Sequence, residues 1–470
     1  MRSAFATAFA FEWTLLKINR AVWGIVALLV VLAALAAANG QARLAVLNAV
    51  SAGLNAGETE TLKALQATVA RWETTGQTSE APTVAGPGTV GLSLLGHYAA
   101  LPPEKLTALT VGQSDVLSGY YRVTAHPAYT FLTTGEITNP LNVLTGSFDV
   151  AFVIVFILPI VIIALTFDLV SREKEMGVMA LVAAAGVSLS SIIVAKATAR
   201  LSLIAAALCF VTAAVTILTG AASVALLGWI AVVAAYALFW FGLALVVNTA
   251  NRPSVTNGVI LANIWLVFVV VLPAFVNMAA NAIYPAPSRV ELTTAMREAS
   301  EAADKQAAGA REAFFFDHPD MAGQAGNSDA YFIQVMATDA AVERAVAPLL
   351  KAFDAQAERR ERIVAGLQYL SPAILAQQAL AVLSGTDNAR FADFTQQVVR
   401  FHGRWRGFFQ DRIIKGERLS AADFDRIPTF VYRNPGLSWN TVYGPLAALL
   451  LAVGVLMGVA VRRFARYPVV

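Results

Sequence analysis

The sequence has few charged residues and almost no cysteine. Charged residues make up 14% of its 470 residues, against roughly 25% in ordinary soluble domains. The single cysteine, Cys209, lies within an apolar run and has no second cysteine with which to form an internal disulfide. These two shortages argue against an ordinary soluble domain and exclude a small secreted module held together by disulfides.

The sequence also lacks the motifs of common catalytic and metal sites. It has no Gly-x-x-x-x-Gly-Lys-[Ser/Thr] loop for nucleotide phosphates, no Gly-x-Ser-x-Gly nucleophile motif and no His-Glu-x-x-His zinc motif. Its four histidines are scattered and do not have the spacing of metal ligands. We therefore expect no catalytic residue, no metal site and no cofactor site on this chain.

Long apolar runs dominate what is present, since 57% of the residues are hydrophobic. Six runs reach the ~18 residues that a membrane-spanning helix needs, so the sequence predicts a mainly α, polytopic membrane protein. The six predicted transmembrane helices cover residues 21–38, 150–167, 192–219, 222–247, 257–280 and 443–461.

Two basic residues stand at the start of the third predicted span. We expect the side chains of Lys196 and Arg200 to snorkel toward the lipid headgroups, as long basic side chains do near helix ends. The alternative is a span that begins near Leu201.

The distribution of basic residues predicts which helix ends face the cytoplasm. With both termini inside, the inner segments carry 11 basic residues against four acidic ones, and the short outer loop around Gly220 has no charge. The positive-inside rule favours this orientation over its inverse. Residues 462–470 then form a short cytoplasmic tail.

The first 20 residues predict a helix that lies on the membrane surface. Aromatic and apolar residues recur there every three or four positions, which places them on one helix face, and basic residues follow. The positions are Phe5, Phe9, Trp13 and Leu16, followed by Lys17 and Arg20. We expect this interfacial helix to contact membrane lipid on the cytoplasmic side.

The same topology places two large inserts outside the cytoplasm. The first, residues 39–147, is mixed: a helix is predicted over 42–73, a linker over 74–91, and short elements interrupted by prolines over 94–147. The second, residues 281–440, is mostly helical, with helices predicted at 288–313, 329–364, 371–384, 388–413 and 420–426. Its 18 basic and 19 acidic residues nearly cancel, so we expect it to bind neither nucleic acid nor anionic lipid.

A charged segment after the second span is the strongest functional signal. This elbow, residues 168–191, contains Arg172, Glu173, Lys174 and Glu175, whose charges alternate in sign, and Gly177, which lets the backbone turn. An apolar stretch, 178–185, follows it and predicts a short helix along the cytoplasmic face. The charges could pair with a partner protein, or the elbow could be a solvated loop that only sets topology. The residues alone favour neither interpretation.

The elbow resembles that of ABC-2 permeases, the membrane subunits of a family of ATP-binding-cassette transporters. The matching residues are Arg172-Glu173-Lys174-Glu175-Met176-Gly177. The sequence departs from the family pattern at Val178, where threonine is usual, and at Gly186-Val187-Ser188, where Pro-x-Ser is usual. The resemblance implies a bacterial inner-membrane exporter subunit whose elbow contacts separate ATPase subunits, and those subunits hold ATP and Mg. It also implies a second permease chain, identical or paralogous.

The outer inserts resemble those of a permease subgroup that carries a DUF3526-type region. The stretches that suggest it are Leu370-Ser371-Pro372-Ala373, Leu383-Ser384-Gly385-Thr386-Asp387 and Trp405-Arg406. In such a protein the inserts would cap the exit of the transport path or dock a periplasmic partner.

Two prolines and two asparagines interrupt the apolar spans. Pro159 and Pro273 each remove a backbone hydrogen bond and are expected to kink their helices. Asn263 and Asn277 are expected to face protein or water, not lipid. These four residues would line a translocation path between two permease copies or, alternatively, serve interhelical packing. The rival function for the whole chain is a non-transporting scaffold or signalling protein whose outer helical domain binds a partner.

Overall fold

The computed structural model describes residues 4–76, 81–115, 117–132, 148–177, 189–220, 223–285, 289–305, 309, 316 and 330–466. Within these ranges the chain is mostly helical, and its buried hydrophobic residues form two large cores and one small one. The first core lies among the long apolar helices. The second lies in what we call the polar domain, built from the second half of helix α2, residues 81–132 and most described parts of 289–433.

The elements run in the following order. The N-terminal part contains α1 (Ala4–Ile18), α2 (Arg20–Thr75), α3 (Ala81–Val84), α4 (Pro87–Thr89), β1 (His97–Ala100), β2 (Tyr120–Val123) and α5 (Ala128–Leu132). Long helices follow: α6 (Val150–Glu175), α7 (Leu189–Thr219), α8 (Val224–Asn248) and α9 (Ser254–Ile283). The remaining helices are α10 (Arg289–Lys305), α11 (Ala330–Leu367), α12 (Pro372–Ser384), α13 (Asn388–Lys415), α14 (Ala421–Phe424) and α15 (Trp439–Phe464).

Six of these helices, namely α2, α6, α7, α8, α9 and α15, are long and apolar enough to cross a membrane. Each overlaps one of the predicted runs, which confirms a multi-pass, mainly α protein. Helices α6 and α8 are central. In each of them 67% of the most apolar 18-residue stretch is buried, whereas the buried share of that stretch is 17% in α9 and in α15. Much of the apolar surface of α9 and α15 therefore faces outward from this chain.

A break at Asn19 separates α1 from α2. The Asn19 backbone is extended, and its Oδ1 accepts the N–H of Ala21, an N-cap. Helix α2 then continues for 56 residues to a left-handed cap at Gly76. At 1.5 Å per residue it is about 84 Å long, far more than the ~30 Å of membrane hydrocarbon. The helix predicted at 42–73 is thus the continuation of the first span, and the predicted linker 74–91 contains α3 and α4.

The core of the polar domain is an aromatic stripe on α13 that packs against the β1–β2 hairpin and α2. The stripe consists of Phe394, Phe401, Trp405 and Phe409, all buried. His97 on β1 ties the parts together: its Nδ1 lies 2.5 Å from Oε1 of Glu58 on α2, and its Nε2 accepts the N–H of Phe430 at 2.9 Å. The segment that leads into α15 is thereby fixed to the hairpin.

A second buried histidine holds α13 to the segment before α5. His402 Nε2 donates to the carbonyl of His126 at 2.7 Å. Burial lowers the pKa of His402 below its ordinary value, and the nearby guanidinium of Arg406 acts in the same direction, although the bond to His126 opposes both. The neutral imidazole is the form that this core favours.

Helix α12 packs among the membrane-length helices and not in the core of the polar domain. Its apolar residues, including Leu380 and Leu383, belong to the first core, beside α8 and α15. The packing is close, because a Cβ at Gly228 of α8 would lie 2.8 Å from Cδ2 of Leu383. The segment 281–440 predicted as an outer domain therefore contains a 13-residue helix that is inserted into the helical bundle.

Candidate functional site: a buried charge cluster at the elbow

The described part of the elbow, residues 168–177, forms the end of α6. A turn at 167–170 interrupts the helix, which then continues as one short helical segment, Ser171–Glu175. Asn248, the last residue of α8, stabilises the turn: its Oδ1 accepts the N–H of Val170 and its Nδ2 donates to the carbonyl of Thr166. Gly177 has a φ of 72°, which confirms the predicted backbone turn there. The predicted coupling helix at 178–185 lies outside the described residues.

Arg200 on α7 is the centre of a buried ion-pair cluster. Its Nε donates to Oε1 of Glu12 on α1 at 2.8 Å, and one terminal nitrogen donates to Oδ1 of Asp168 at 2.7 Å. The same nitrogen donates to the carbonyl of Leu165. Arg200 is 8% exposed and Glu12 3%, so both charges depend on each other and not on solvent.

Lys196 extends the cluster by one helical turn. Its Nζ lies 2.7 Å from Oε1 of Glu173 in the elbow and 3.6 Å from Oε2 of Glu12. Lys196 is 6% exposed, so neither it nor Arg200 snorkels to the headgroups, and that prediction is wrong. The reason is that three carboxylates from other segments lie within reach. We call Glu12, Asp168, Glu173, Lys196 and Arg200 the elbow cluster.

The next two elbow residues bind the connection between α8 and α9. Lys174 Nζ donates to Oδ1 of Asn251, a residue with a φ of 54°. The Glu175 carboxylate accepts the backbone N–H of Ser254 at 2.7 Å and its hydroxyl at 2.8 Å. Glu175 thus satisfies the first N–H of α9, as an N-cap would.

The elbow charges therefore act mainly within the chain. Glu173, Lys174 and Glu175 bind α7, the α8–α9 connection and α9. Neither interpretation of the sequence, a partner-binding segment or a solvated loop, included these contacts. Arg172 projects outward, with a side chain 58% exposed and a 3.7 Å contact to Asp168, and Met176 is 60% exposed. Together with Lys174, Glu175 and Gly177, which are also exposed, these two residues form the outer surface of the described elbow.

The two prolines of the spans each follow a wide π-helical turn. Pro159 follows the turn Val153–Ile157 in α6 and is buried. In an α-helix its missing N–H would pair with the carbonyl of Val155, and that carbonyl instead accepts the hydroxyl of Tyr236 on α8 at 2.9 Å. Pro159 thus joins α6 to α8 in the centre of the bundle.

Pro273 joins α9 to α12 in the same way, through a backbone carbonyl that the proline leaves without its partner. It follows the π-helical turn Leu266–Val271, in which Leu272 N–H bonds to the carbonyl of Val267. In that register the missing N–H of Pro273 leaves the carbonyl of Phe268 without its partner. The hydroxyl of Ser371 donates to this carbonyl at 2.6 Å. Phe268 is near the midpoint of α9, so α12 begins halfway along the bundle and occupies the half opposite the elbow.

The two predicted asparagines lie on the outward surface of α9. Asn263 is exposed, and its Nδ2 donates to the carbonyl of Val259 on the same helix. Asn277 is also exposed, and its Oδ1 accepts a bond from Arg360 of α11 at 3.1 Å. Asn277 therefore contacts α11. Among the described residues of one chain, the four predicted path residues do not come together around one opening.

Sequence analysis missed the buried role of Glu12 and the bond from Ser371 to α9. Position 12 lies between Phe9 and Leu16 on the apolar face of α1, and a carboxylate on such a face indicates a buried partner. The basic pair at 196 and 200 on a predicted span was the complementary signal. Ser371 carried no comparable signal, because its bond to α9 depends on the insertion of α12.

Comparison with known proteins identifies one region of the chain. Residues 289–433 match the family model DUF3526, a domain of unknown function. The match covers less than a third of the chain and includes α12 and α13. No curated protein matches the sequence. The match confirms the DUF3526-type region predicted from the outer insert, and it leaves the resemblance to ABC-2 permeases as a prediction.

Proposed function

We propose that this protein is the permease subunit of an ATP-driven ABC-2-type exporter in a bacterial inner membrane. Two permease chains, identical or paralogous, would form the translocation path, and two separate ATPase subunits would bind ATP and Mg. The elbow cluster is the observation that carries the proposal. It connects an exposed elbow surface, Arg172 and Met176, to the interfacial helix α1 and to α7 by buried ion pairs.

The proposed orientation places the elbow and both termini in the cytoplasm and the polar domain in the periplasm. The support is the excess of basic residues at the elbow end, which includes Arg462 and Arg463 in the last turn of α15. In this orientation the ATPase subunits meet the elbow directly, and the polar domain is free to dock a periplasmic partner.

The proposed mechanism transmits a push from the elbow to the exit half of the bundle. Closure of the ATPase subunits would move the elbow, and Glu173 and Glu175 would carry that displacement to α7 and α9, which they bind. Helix α9 in turn holds α12 through Phe268 and Ser371. This series of contacts from the elbow through α9 to the inserted helix α12 favours a transporter. The scaffold function needs no such connection.

The exposed elbow surface provides a direct test. We expect the double substitution Arg172→Glu and Met176→Glu to abolish co-purification with the ATPase subunits and ATP-dependent export, because it places two carboxylates on the docking surface. Both side chains are mostly exposed, so the folded chain should be retained. The first measurement is the amount of ATPase that co-purifies with the chain from native membranes. The second is ATP-dependent export, measured as uptake into inverted vesicles.

Arg463→Glu is the matched control, because Arg463 is an exposed residue at the same end of the bundle. It should leave ATPase association unchanged. Full ATPase association and export by the double elbow variant would exclude the proposed role of the elbow.

A further inference from the structure

The polar domain contains a groove in which three arginines converge. The groove has a volume of about 480 Å³ and lies between α13 and the extended segment that leads to α15. Arg400 and Arg404 project from α13, and Arg433 from the opposite side. All three are exposed, and none forms an ion pair with any residue that the structure describes.

The walls of the groove are fixed by contacts that leave the three guanidinium groups without an ion pair among the described residues. Gln397 fixes the backbone of Arg433 from both sides: its Nε2 donates to the carbonyl at 2.7 Å and its Oε1 accepts the N–H at 3.0 Å. Phe430 is fixed by its bond to His97. The Arg404 guanidinium lies 5.7 Å from the ring of Phe401, a cation–π distance.

Half-buried and exposed side chains alternate along the segment opposite α13. Phe430 and Tyr432 are half-buried, whereas Thr429, Val431 and Arg433 are exposed. Val431 is 75% exposed and lines the groove together with the three arginines. An extended ligand could therefore lie along this segment with an apolar contact at its centre.

The charge in the groove is not balanced within the domain. Arg400 and Arg404 are spaced four residues apart on one helix face, where like charges repel each other and destabilise a helix. Two acidic residues lie seven positions from this pair on the same helix, Asp393 before Arg400 and Asp411 after Arg404. Asp393 accepts bonds from Gln397 and from the hydroxyl of Tyr432, and neither carboxylate forms an ion pair with Arg400 or Arg404. Although the net charge of the insert is near zero, three cations are concentrated in this groove.

We propose that this groove binds an anionic ligand through carboxylate or phosphate oxygens, with Arg400, Arg404 and Arg433 as its binding residues. Guanidinium groups suit this chemistry because each can donate two parallel hydrogen bonds to one oxyanion. The ligand comes from solvent. All three guanidinium groups are exposed, so the groove is open to a soluble ligand. Its source is a free polyanion or an acidic peptide segment of a partner, and neither depends on transport.

Titration calorimetry on the intact chain in nanodiscs of neutral lipid tests the proposal. The probes are tripolyphosphate, citrate and a hexaglutamate peptide at low salt. We expect at least one probe to bind, and Arg400→Gln/Arg404→Gln/Arg433→Gln to weaken that binding at least about tenfold, because the variant removes the charge-assisted hydrogen bonds of all three guanidinium groups. Binding of the peptide alone would identify an acidic segment, and binding of the small anions would identify a free polyanion.

The matched control removes three exposed arginines elsewhere, by Arg71→Gln/Arg359→Gln/Arg362→Gln. It should retain the binding. A second variant, Val431→Glu, keeps all three arginines and supplies a competing carboxylate inside the groove; it should also weaken binding. The proposal is overturned if no probe binds, or if the control triple weakens binding as much as the groove triple does.

Discussion

Replacing Arg200 by methionine is expected to lower the free energy of unfolding by about 3–5 kcal/mol. The methionine keeps an unbranched apolar stem but removes the guanidinium and both ion pairs, and it leaves the carboxylates of Glu12 and Asp168 without the cation that they share. Because Glu12 is 3% exposed, water cannot replace that partner. The measurement is equilibrium unfolding of the purified chain in mixed detergent micelles.

Arg172→Met is the control for this first prediction. It removes a mostly exposed arginine whose guanidinium lies 3.7 Å from the carboxylate of Asp168. Its expected cost is at most about 1 kcal/mol. Equal effects of the two substitutions would contradict the assignment of Arg200 to the centre of the cluster.

A second substitution distinguishes charge balance from lost packing. The elbow cluster has three carboxylates and two cations, so Arg200→Met leaves one cation for three carboxylates. Adding Glu12→Gln returns the imbalance to a single charge. We therefore expect Glu12→Gln to destabilise the native protein but to stabilise the Arg200→Met variant. The same destabilisation in both backgrounds would mean that Glu12 and Arg200 act independently.

Replacing Ser371 by alanine is expected to cost about 1–3 kcal/mol of unfolding free energy beyond the loss of an N-cap. The hydroxyl caps α12 through the N–H of Ile374, and it also donates to the Phe268 carbonyl that Pro273 leaves unpaired. Within the bilayer no water is available to satisfy that carbonyl. The same unfolding measurement in detergent gives the cost.

Ser223→Ala is the matched control for Ser371, since Ser223 caps α8 through Leu226 N–H without a second bond among the described residues. Its expected cost is about 1 kcal/mol. In a Pro273→Ala background an N–H becomes available near Phe268, so the excess cost of Ser371→Ala should disappear. An unchanged excess would show that the Ser371–Phe268 bond does not compensate for the proline.

Hydropathy and helix signals predicted much of the fold. The six apolar runs became six membrane-length helices. The helix predicted at 371–384 matches α12, which has Ser371 as its N-cap and Pro372 as its first residue. The insertion of α12 was not predicted, because a 13-residue apolar helix is shorter than a span and is expected in the core of an ordinary domain.

The elbow was predicted as a segment, but its contacts were not. Arg172-Glu173-Lys174-Glu175 can be recognised as a charged motif, whereas the partner of each charge depends on which distant residue the fold brings near. Glu12 and Arg200 are separated by 188 positions, and no local pattern joins them. Periodicity gives the buried face of a helix, but the pairing of charges between helices is a property of tertiary structure.

The distance between α12 and α8 is the measurement that tests the central claim most directly. Spin labels would replace Leu370, just before α12, and Val224, at the start of α8, both substantially exposed, with Cys209 changed to serine. In proteoliposomes containing the ATPase subunits, we predict that ATP shifts this distance and that Arg172→Glu/Met176→Glu abolishes the shift. A distance that stays constant while the bound ATPase hydrolyses ATP would contradict the claim that work received at the elbow moves the opposite half of the bundle.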